Sequence, residues 1–205
     1  TKEYDKALAD ANTAIELNPI IPQVYNTKAL IYSEKGETDK AIEIYDFIID
    51  KWKNYADAYI GRGNEYFKKK DYGQALINYS MAADYGNNDA LAQKGYLHEY
   101  LEQDEEAIAA FEKYLEAVPN NYDITIEIGD LYQKQEEYEK SIEYYDQAIK
   151  INPDIYNSYF KKGLSLEYQE KYEEALKMFN KVLEINENQV DAKNEIKFIE
   201  EKLKR

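Results

Sequence analysis

A repeat of 34 residues is the feature of the sequence that most constrains its fold. Gly129 has counterparts 34 residues before and after it, in Gly95 and Gly163, and Pro119 is separated from Pro153 by the same interval. A fixed period of about 20–50 residues is the signature of a chain built from stacked units, each of which contacts only its neighbours. The number of repeats therefore describes this chain better than the number of compact domains.

Each repeat contains two amphipathic helical patterns separated by a short turn, and residues 122–155 show this arrangement most completely. A small residue such as Gly129 recurs in the first pattern, and a large aromatic residue such as Tyr145 recurs in the second. The small residue allows the two helices to approach closely, and the ring fills the seam between them. Pro153 ends the second helix because proline cannot continue one.

The pattern resembles the tetratricopeptide repeat (TPR), whose unit reads W-x2-L-G-x2-Y, then A-x3-F, then P. At those places residues 122–155 supply Thr125, Ile128, Gly129, Tyr132, Ser141, Tyr145 and Pro153. Five copies in phase cover nearly the whole chain. The resemblance implies an all-α fold, an α-solenoid of antiparallel helix pairs that forms a right-handed superhelix.

We expect a single array over residues 1–205. Its predicted parts are the second helix of a truncated repeat, five full repeats and a C-terminal capping helix, at residues 1–21, 22–55, 56–87, 88–121, 122–155, 156–189 and 190–205. Because the chain begins in the middle of a repeat, we expect it to be excised from a longer protein, and its compartment is not identified. The apolar face of the first helix is either a weakness of the excised chain or a surface for self-association.

One junction between repeats is shorter than the others. Gly63 and Gly95 are 32 residues apart, so two residues are missing near residues 82–95. The residues are predicted to be missing from the turn itself, and this stretch is similar to the Sel1-like variant of the repeat, which has a tighter connection. We expect a local change of superhelix geometry here, and we interpret its cause as a tolerated deletion rather than a device that shapes a groove.

Composition argues against several classes of partner. The formal net charge is −15, and the only arginines are Arg62 and Arg205. Because nucleic-acid binding needs a clustered basic face, nucleic acid is not an expected partner. No apolar run approaches the length of a membrane span, so membrane insertion is not expected either. The absence of cysteine excludes disulfides and thiolate metal sites.

The chain also lacks the residue patterns of an enzyme. His98 is its only histidine, and it occupies the place of Tyr66 and Tyr132, which predicts packing between helices. No nucleophile or carboxylate motif adjoins it, as a general base would require. Acidic runs such as residues 104–106 are interpreted as solvated turns, because Asp and Glu favour helix starts. We therefore expect no catalytic activity, no cofactor and no metal.

The expected functional surface is a concave groove, because the resemblance implies that peptide ligands lie along the first helix of each pair. Carried over to this sequence, the groove residues are Asn26, Leu30, Ile60, Asn64, Phe67, Gln93, Tyr96, Tyr100, Ile126, Asp130, Phe160, Lys161 and Leu164. For the aromatic members, packing on the adjacent repeat is an equally good interpretation.

One ligand mode of the family is disfavoured by the residues themselves. Domains that clamp the acidic C-terminal tail of chaperones place Lys, Asn and Arg at set positions in successive first helices. No window of this chain matches more than one of those positions, and acids such as Asp89 and Asp123 stand where cations are needed. Like charges would repel a terminal carboxylate, so we reject this mode.

The leading interpretation is a protein-interaction scaffold that binds a peptide or protein segment along the groove. Acidic and aromatic residues on the inner face favour a basic or neutral partner with apolar anchors, since complementary charge speeds encounter and suppresses acidic partners. The alternative is a structural spacer or self-assembly arm of a larger multidomain protein.

Overall fold

The structure, a computed structural model, describes residues 2–204, which form twelve α-helices and no strand. The helices are α1 (Lys2–Leu17), α2 (Pro22–Glu34), α3 (Thr38–Lys51), α4 (Ala56–Lys68), α5 (Tyr72–Asp84), α6 (Asp89–Tyr100), α7 (Asp104–Ala117), α8 (Tyr122–Lys134), α9 (Tyr138–Ile151), α10 (Tyr156–Tyr168), α11 (Tyr172–Ile185) and α12 (Val190–Leu203). The prediction of an all-α helical repeat is confirmed. Within this described range, no helix is both long enough and apolar enough to span a bilayer.

The chain divides into two compact units, residues 1–110 and residues 111–205. In the first unit α2 packs against α3 and α4 against α5, and α1 lies on α2. In the second unit α8 packs against α9 and α10 against α11, and α12 lies on α11. In these parts of the two units, helices that follow one another in the sequence are therefore neighbours in space, as expected for stacked helix pairs.

Inside a helix pair, a glycine of the first helix faces an aromatic ring of the second. A Cβ atom added at Gly63 would lie 2.7 Å from Cε1 of Tyr79, and one added at Gly129 would lie 2.6 Å from Cε1 of Tyr145. Both distances are too short for any real side chain. The ring therefore occupies the space that a larger residue would fill, and this close contact sets the separation of the two helices.

The turn inside each pair is closed by a residue in the left-handed conformation. Lys70, Glu136 and Glu170 have φ angles of 60°, 61° and 58°. After Lys70, the Asp71 N–H donates to the carbonyl oxygen of Tyr66 at 2.9 Å. This bond satisfies a carbonyl that the end of α4 would otherwise leave without a partner, in the manner of a Schellman motif.

The short junction near residues 82–95 uses the same left-handed turn between two pairs. Gly86 has a φ of 88°, and the Asn87 N–H donates to the Ala82 carbonyl oxygen at 3.0 Å. After α9 the chain instead leaves through Asn152 in an extended conformation. Four residues link the helices in both places, but α5 and α6 have 13 and 12 residues where α9 and α10 have 14 and 13. The missing residues therefore come from the helices, one from each.

Each unit has an apolar core formed by these pairs. One buried cluster of the first unit contains Ala29, Ala41, Tyr45, Ile48 and Ala58. The corresponding cluster of the second unit contains Tyr159, Leu166, Ala175, Phe179, Val182, Ala192 and Ile199. Alanine lies where helices approach closely and aromatic residues fill the wider spaces, which is how interiors reach high packing density.

The seam between α4 and α5 provides a stability test. We expect Gly63→Ala to lower the free energy of unfolding by about 1–3 kcal/mol, because the new methyl group would displace the Tyr79 ring. Gly73→Ala in α5 is the matched control, since its nearest neighbouring atom would be 3.8 Å away. The control should be neutral or stabilising by up to about 1 kcal/mol, through helix propensity alone. Urea unfolding followed by circular dichroism measures both, and equal effects would contradict the role of the seam.

Candidate functional site

The first helices of three successive pairs, α2, α4 and α6, line one groove in the first unit. Two depressions of about 620 Å³ and about 370 Å³ lie along it. They adjoin each other, since both are lined by Leu30, Tyr45, Gly61, Asn64 and Gln93. We call the two together the α2–α4–α6 groove. The larger depression falls within the size range of small-ligand and side-chain pockets.

Eight of the predicted site residues line this groove. They are Asn26, Leu30, Ile60, Asn64, Phe67, Gln93, Tyr96 and Tyr100. Residues at corresponding places of successive repeats meet here because each first helix presents the same face after its pair has packed. Their part in binding stays a prediction.

The five predicted residues of the second unit are engaged within that unit. Ile126 is 6% exposed and belongs to a buried cluster. Phe160 and Leu164 pack against the core of α10, α11 and α12. Lys161 Nζ donates to Asp130 Oδ2 at 2.8 Å, so the cation and the acid that were expected to meet a ligand meet each other.

Aromatic rings form the rim of the larger depression. The ring centroids of Phe67, Tyr72 and Tyr100 lie 5.5 to 5.7 Å apart from one another, and we call these three residues the aromatic cluster. Tyr100 remains 60% exposed and Phe67 37% exposed. The rings therefore pack on each other and still present a surface to solvent, and their part in binding stays a prediction.

The groove carries more negative than positive charge. Its lining includes the carboxylates of Glu34, Asp57, Glu65 and Asp89 and the single ammonium group of Lys68. Such a surface attracts cationic groups and repels anionic ones.

Glu65 is a residue of the groove that the sequence interpretation missed. It is 1% exposed although it carries a carboxylate. Ser33 Oγ donates to its Oε1 atom at 2.6 Å, and Lys68 Nζ donates to the same atom at 2.8 Å. The other oxygen, Oε2, is buried and has no hydrogen-bond partner among residues 2–204. A buried polar atom without a partner is costly and uncommon in a native structure.

The place of Glu65 in the repeat is normally part of the core. The equivalent residues in other repeats are Ile31, Leu97, Leu131 and Ser165. Leu97 and Leu131 are 2% and 3% exposed, and Ser165 is fully buried. Alignment of the repeats was therefore the signal that could have identified Glu65, because it is the one charged residue in this series.

Tyr45 supplies a second buried oxygen without a partner in the same groove. In the next pair the equivalent Tyr79 hydroxyl donates to Asn64 Oδ1 at 2.8 Å. Leu30 occupies the corresponding place beside Tyr45 and offers no acceptor, and no described residue binds the Tyr45 hydroxyl oxygen. Burial, with the charge of Glu65 as a smaller cause, raises the pKa of Tyr45 well above its usual value.

His98 is not part of the lining of the α2–α4–α6 groove. It is 9% exposed, and its Nδ1 atom is 2.8 Å from Oε1 of Gln103, in the turn that follows α6. In the described part of the chain, no group of three or more His, Cys, Asp and Glu side chains could hold a metal ion.

Comparison with solved structures defines the class of the protein as a helical-repeat solenoid. The crystal structure of YrrB, described as a TPR protein with an unusual peptide-binding site, matches with a TM-score of 0.70 at 24% identity, over 90% of this chain and 96% of that one. A crystal structure of MamA protein matches with a TM-score of 0.69 at 23% identity, over 83% and 94%. The C-terminal part of a TPR repeat-containing protein from Cytophaga hutchinsonii matches with a TM-score of 0.77 at 21% identity, over 94% and 78%. At these identities the likeness concerns the fold.

Family comparison then identifies the repeat. Tetratricopeptide repeat profiles match residues 11–43, 89–121 and 122–188, which together make up more than half of the chain. The protein belongs to the tetratricopeptide repeat family. No curated protein sequence matches the chain.

The two tyrosines of the groove give a second stability test. Tyr79→Phe should lower the free energy of unfolding by about 1 kcal/mol, because it removes a hydrogen bond to Asn64. Tyr45→Phe should be neutral or stabilising, because it removes a buried hydroxyl that lacks a partner. Chemical unfolding of both variants measures the difference. A larger loss for Tyr45→Phe than for Tyr79→Phe would show that the Tyr45 hydroxyl has an internal role.

Proposed function

We propose that this TPR protein is an interaction scaffold whose α2–α4–α6 groove binds a segment of another protein. The observation that carries the proposal is that eight predicted residues from three first helices line two adjoining depressions. The described peptide-binding site of the fold neighbour YrrB supports a ligand of the same general kind. A repeat surface of this type recognises extended or helical segments through side chains spaced along the groove.

The chemistry of the groove favours a basic or neutral segment with apolar anchors. Leu30 is 48% exposed and the aromatic cluster is partly exposed, so apolar side chains of a ligand have surfaces to contact. The four carboxylates oppose an acidic ligand, and the one lysine of the lining is already bonded to Glu65. A chaperone-type terminal carboxylate would find no free cation cluster along this lining.

Peptide selection tests the location of the site. Random 12-residue peptides displayed on phage would be selected on the immobilised chain, and enriched sequences would be synthesised for fluorescence anisotropy. We expect Tyr96→Ala with Tyr100→Ala to weaken binding by about tenfold or more, since truncated aromatic anchors commonly cost over 1 kcal/mol each. Ile77→Ala is the control, because this exposed residue of α5 lies outside the groove lining. Equal affinities for all three proteins would place the peptides elsewhere.

Salt dependence tests the charge of the partner. The affinity of a selected peptide should fall as sodium chloride is raised, because the Debye length shrinks from about 30 Å at 0.01 M to about 3 Å at 1 M. The loss should be steepest in the association rate, measured by stopped-flow fluorescence. An affinity that is constant across this range would mean that the carboxylates take no part in recognition.

Self-association through the first helix is a second proposal, and it corresponds to a spacer or assembly arm. It is favoured by Leu17 and Ile20, which are 81% and 74% exposed at the end of α1. Light scattering at several concentrations should then show a mass that rises with concentration, and Leu17→Ser with Ile20→Ser should abolish the rise. A monomer at every concentration would argue against this proposal.

A further inference from the structure

We propose that Glu65 and Tyr45 form a subsite in the groove that receives one cationic side chain, arginine or lysine, of the bound segment. The proposal deepens the proposed function and rests on it. Its basis is that two oxygen atoms of this depression, Glu65 Oε2 and Tyr45 Oη, are buried without a hydrogen-bond partner among the described residues.

The hydrogen-bonding capacity of these two atoms selects the class of ligand. An ionised carboxylate oxygen only accepts hydrogen bonds, and a phenolic oxygen can accept as well as donate. A guanidinium group offers five N–H donors and an ammonium group three, with no competing acceptor. Carboxylate and phosphate groups offer acceptors alone and carry the wrong charge. Neutral donors could also bond to these oxygens, but a cationic group adds complementary charge, and bonds of this charge-assisted kind are the stronger ones.

The ammonium group of Lys68 does not use every acceptor that a cationic ligand side chain could bond. Lys68 bonds to Glu65 through Oε1 and also donates to Ser33 Oγ, so neither bond uses Oε2, which is buried without a partner among the described residues. The Lys68 side chain is 47% exposed. Screening by solvent and salt therefore weakens the attraction between its ammonium group and the Glu65 carboxylate. The remaining carboxylates of the lining, Glu34 among them, keep the local charge negative.

The depth profile of the depression matches a long basic side chain. Glu65 and Tyr45 are 1% and 0% exposed, whereas Tyr96 and Tyr100 of the same depression are 39% and 60% exposed. The two oxygens thus lie beneath the surface of the depression, and the rings of Tyr96 and Tyr100 lie at that surface. Arg and Lys have an apolar stem below a charged end, so the stem can pack on the rings while the end reaches the oxygens.

Stability gives no reason for a carboxylate at this place. Two of the four equivalent residues, Leu97 and Leu131, are leucine. Replacing a buried ion pair by a well-packed apolar residue is often neutral or stabilising. Breaks of a local packing rule occur at functional sites in real proteins. We accordingly expect Glu65→Leu to unfold at a higher urea concentration than the wild type.

Small capped amino acids test the subsite directly. The ¹⁵N-labelled chain would be titrated with N-acetyl-arginine N-methylamide, and the amide signals of Gly61, Leu97 and Tyr100 would be followed by NMR. The citrulline analogue has nearly the same shape without the charge. We expect saturable shifts with the arginine probe. The affinity for the citrulline probe should be lower by at least about tenfold, as for the loss of one hydrogen bond to a charged group. Equal or non-saturating shifts with both probes would mean that the two oxygens are merely hydrated, and would overturn the proposal.

Variants of Glu65 and Tyr45 test whether these two residues cause the preference for arginine over citrulline. Glu65→Gln should remove the preference for arginine over citrulline, and Tyr45→Phe should reduce it several-fold, since each removes one of the two acceptors. Glu43→Gln is the control, because it removes an equal charge from an exposed place of α3 outside the groove lining. A preference that survives in Glu65→Gln, together with a loss of stability in Glu65→Leu, would assign Glu65 a structural role and overturn the proposal.

The selected peptides separate this inference from the proposed function. If they bind through Tyr96 and Tyr100 but contain no enriched Arg or Lys and are insensitive to Glu65→Gln, the groove function stands and the cationic subsite is wrong. If the arginine probe binds with the expected preference while no peptide is selected, the subsite stands and the larger groove function fails.

Discussion

Contact between a glycine and an aromatic ring governs the geometry of this protein. Where Gly63 meets Tyr79, and again where Gly129 meets Tyr145, the ring fills the space that a Cβ atom would need. This contact sets the distance between the helices of a pair and leaves one face of the first helix outside the pair. In the first unit, those remaining faces of α2, α4 and α6 make the groove. The groove is thus a consequence of how each pair packs.

Residues at equivalent positions of the two units have different side-chain partners. Asn64 and Asp130 both accept a hydrogen bond from a tyrosine hydroxyl, yet Asp130 is also neutralised by Lys161. In the first unit the Glu65 carboxylate keeps one oxygen unbonded beside exposed rings. The backbone is the same kind of helix pair in both units. The differences between the two surfaces therefore come from a few side chains rather than from the fold.

Periodicity allowed the helices and the face of each first helix to be predicted, because it reports which residues point the same way after packing. It placed Leu30, Asn64 and Tyr100 correctly on one surface without knowledge of any distance. It could not predict that Lys161 bonds to Asp130, because that choice depends on atoms brought together from different repeats. Tyr45 is a similar case: its buried ring follows from the repeat pattern, whereas its unbonded hydroxyl depends on Leu30.

Leu30 stands where other repeats have a polar residue that accepts a hydrogen bond, and this difference bears on repeat proteins in general. A chain of similar units can acquire a recognition point by omission, when one unit lacks the acceptor that its siblings keep, with no new loop or backbone change. Such a point is portable, since it needs only a matching pair of substitutions in another unit. Divergence of ligand among proteins with this scaffold can then proceed faster than any visible divergence of shape.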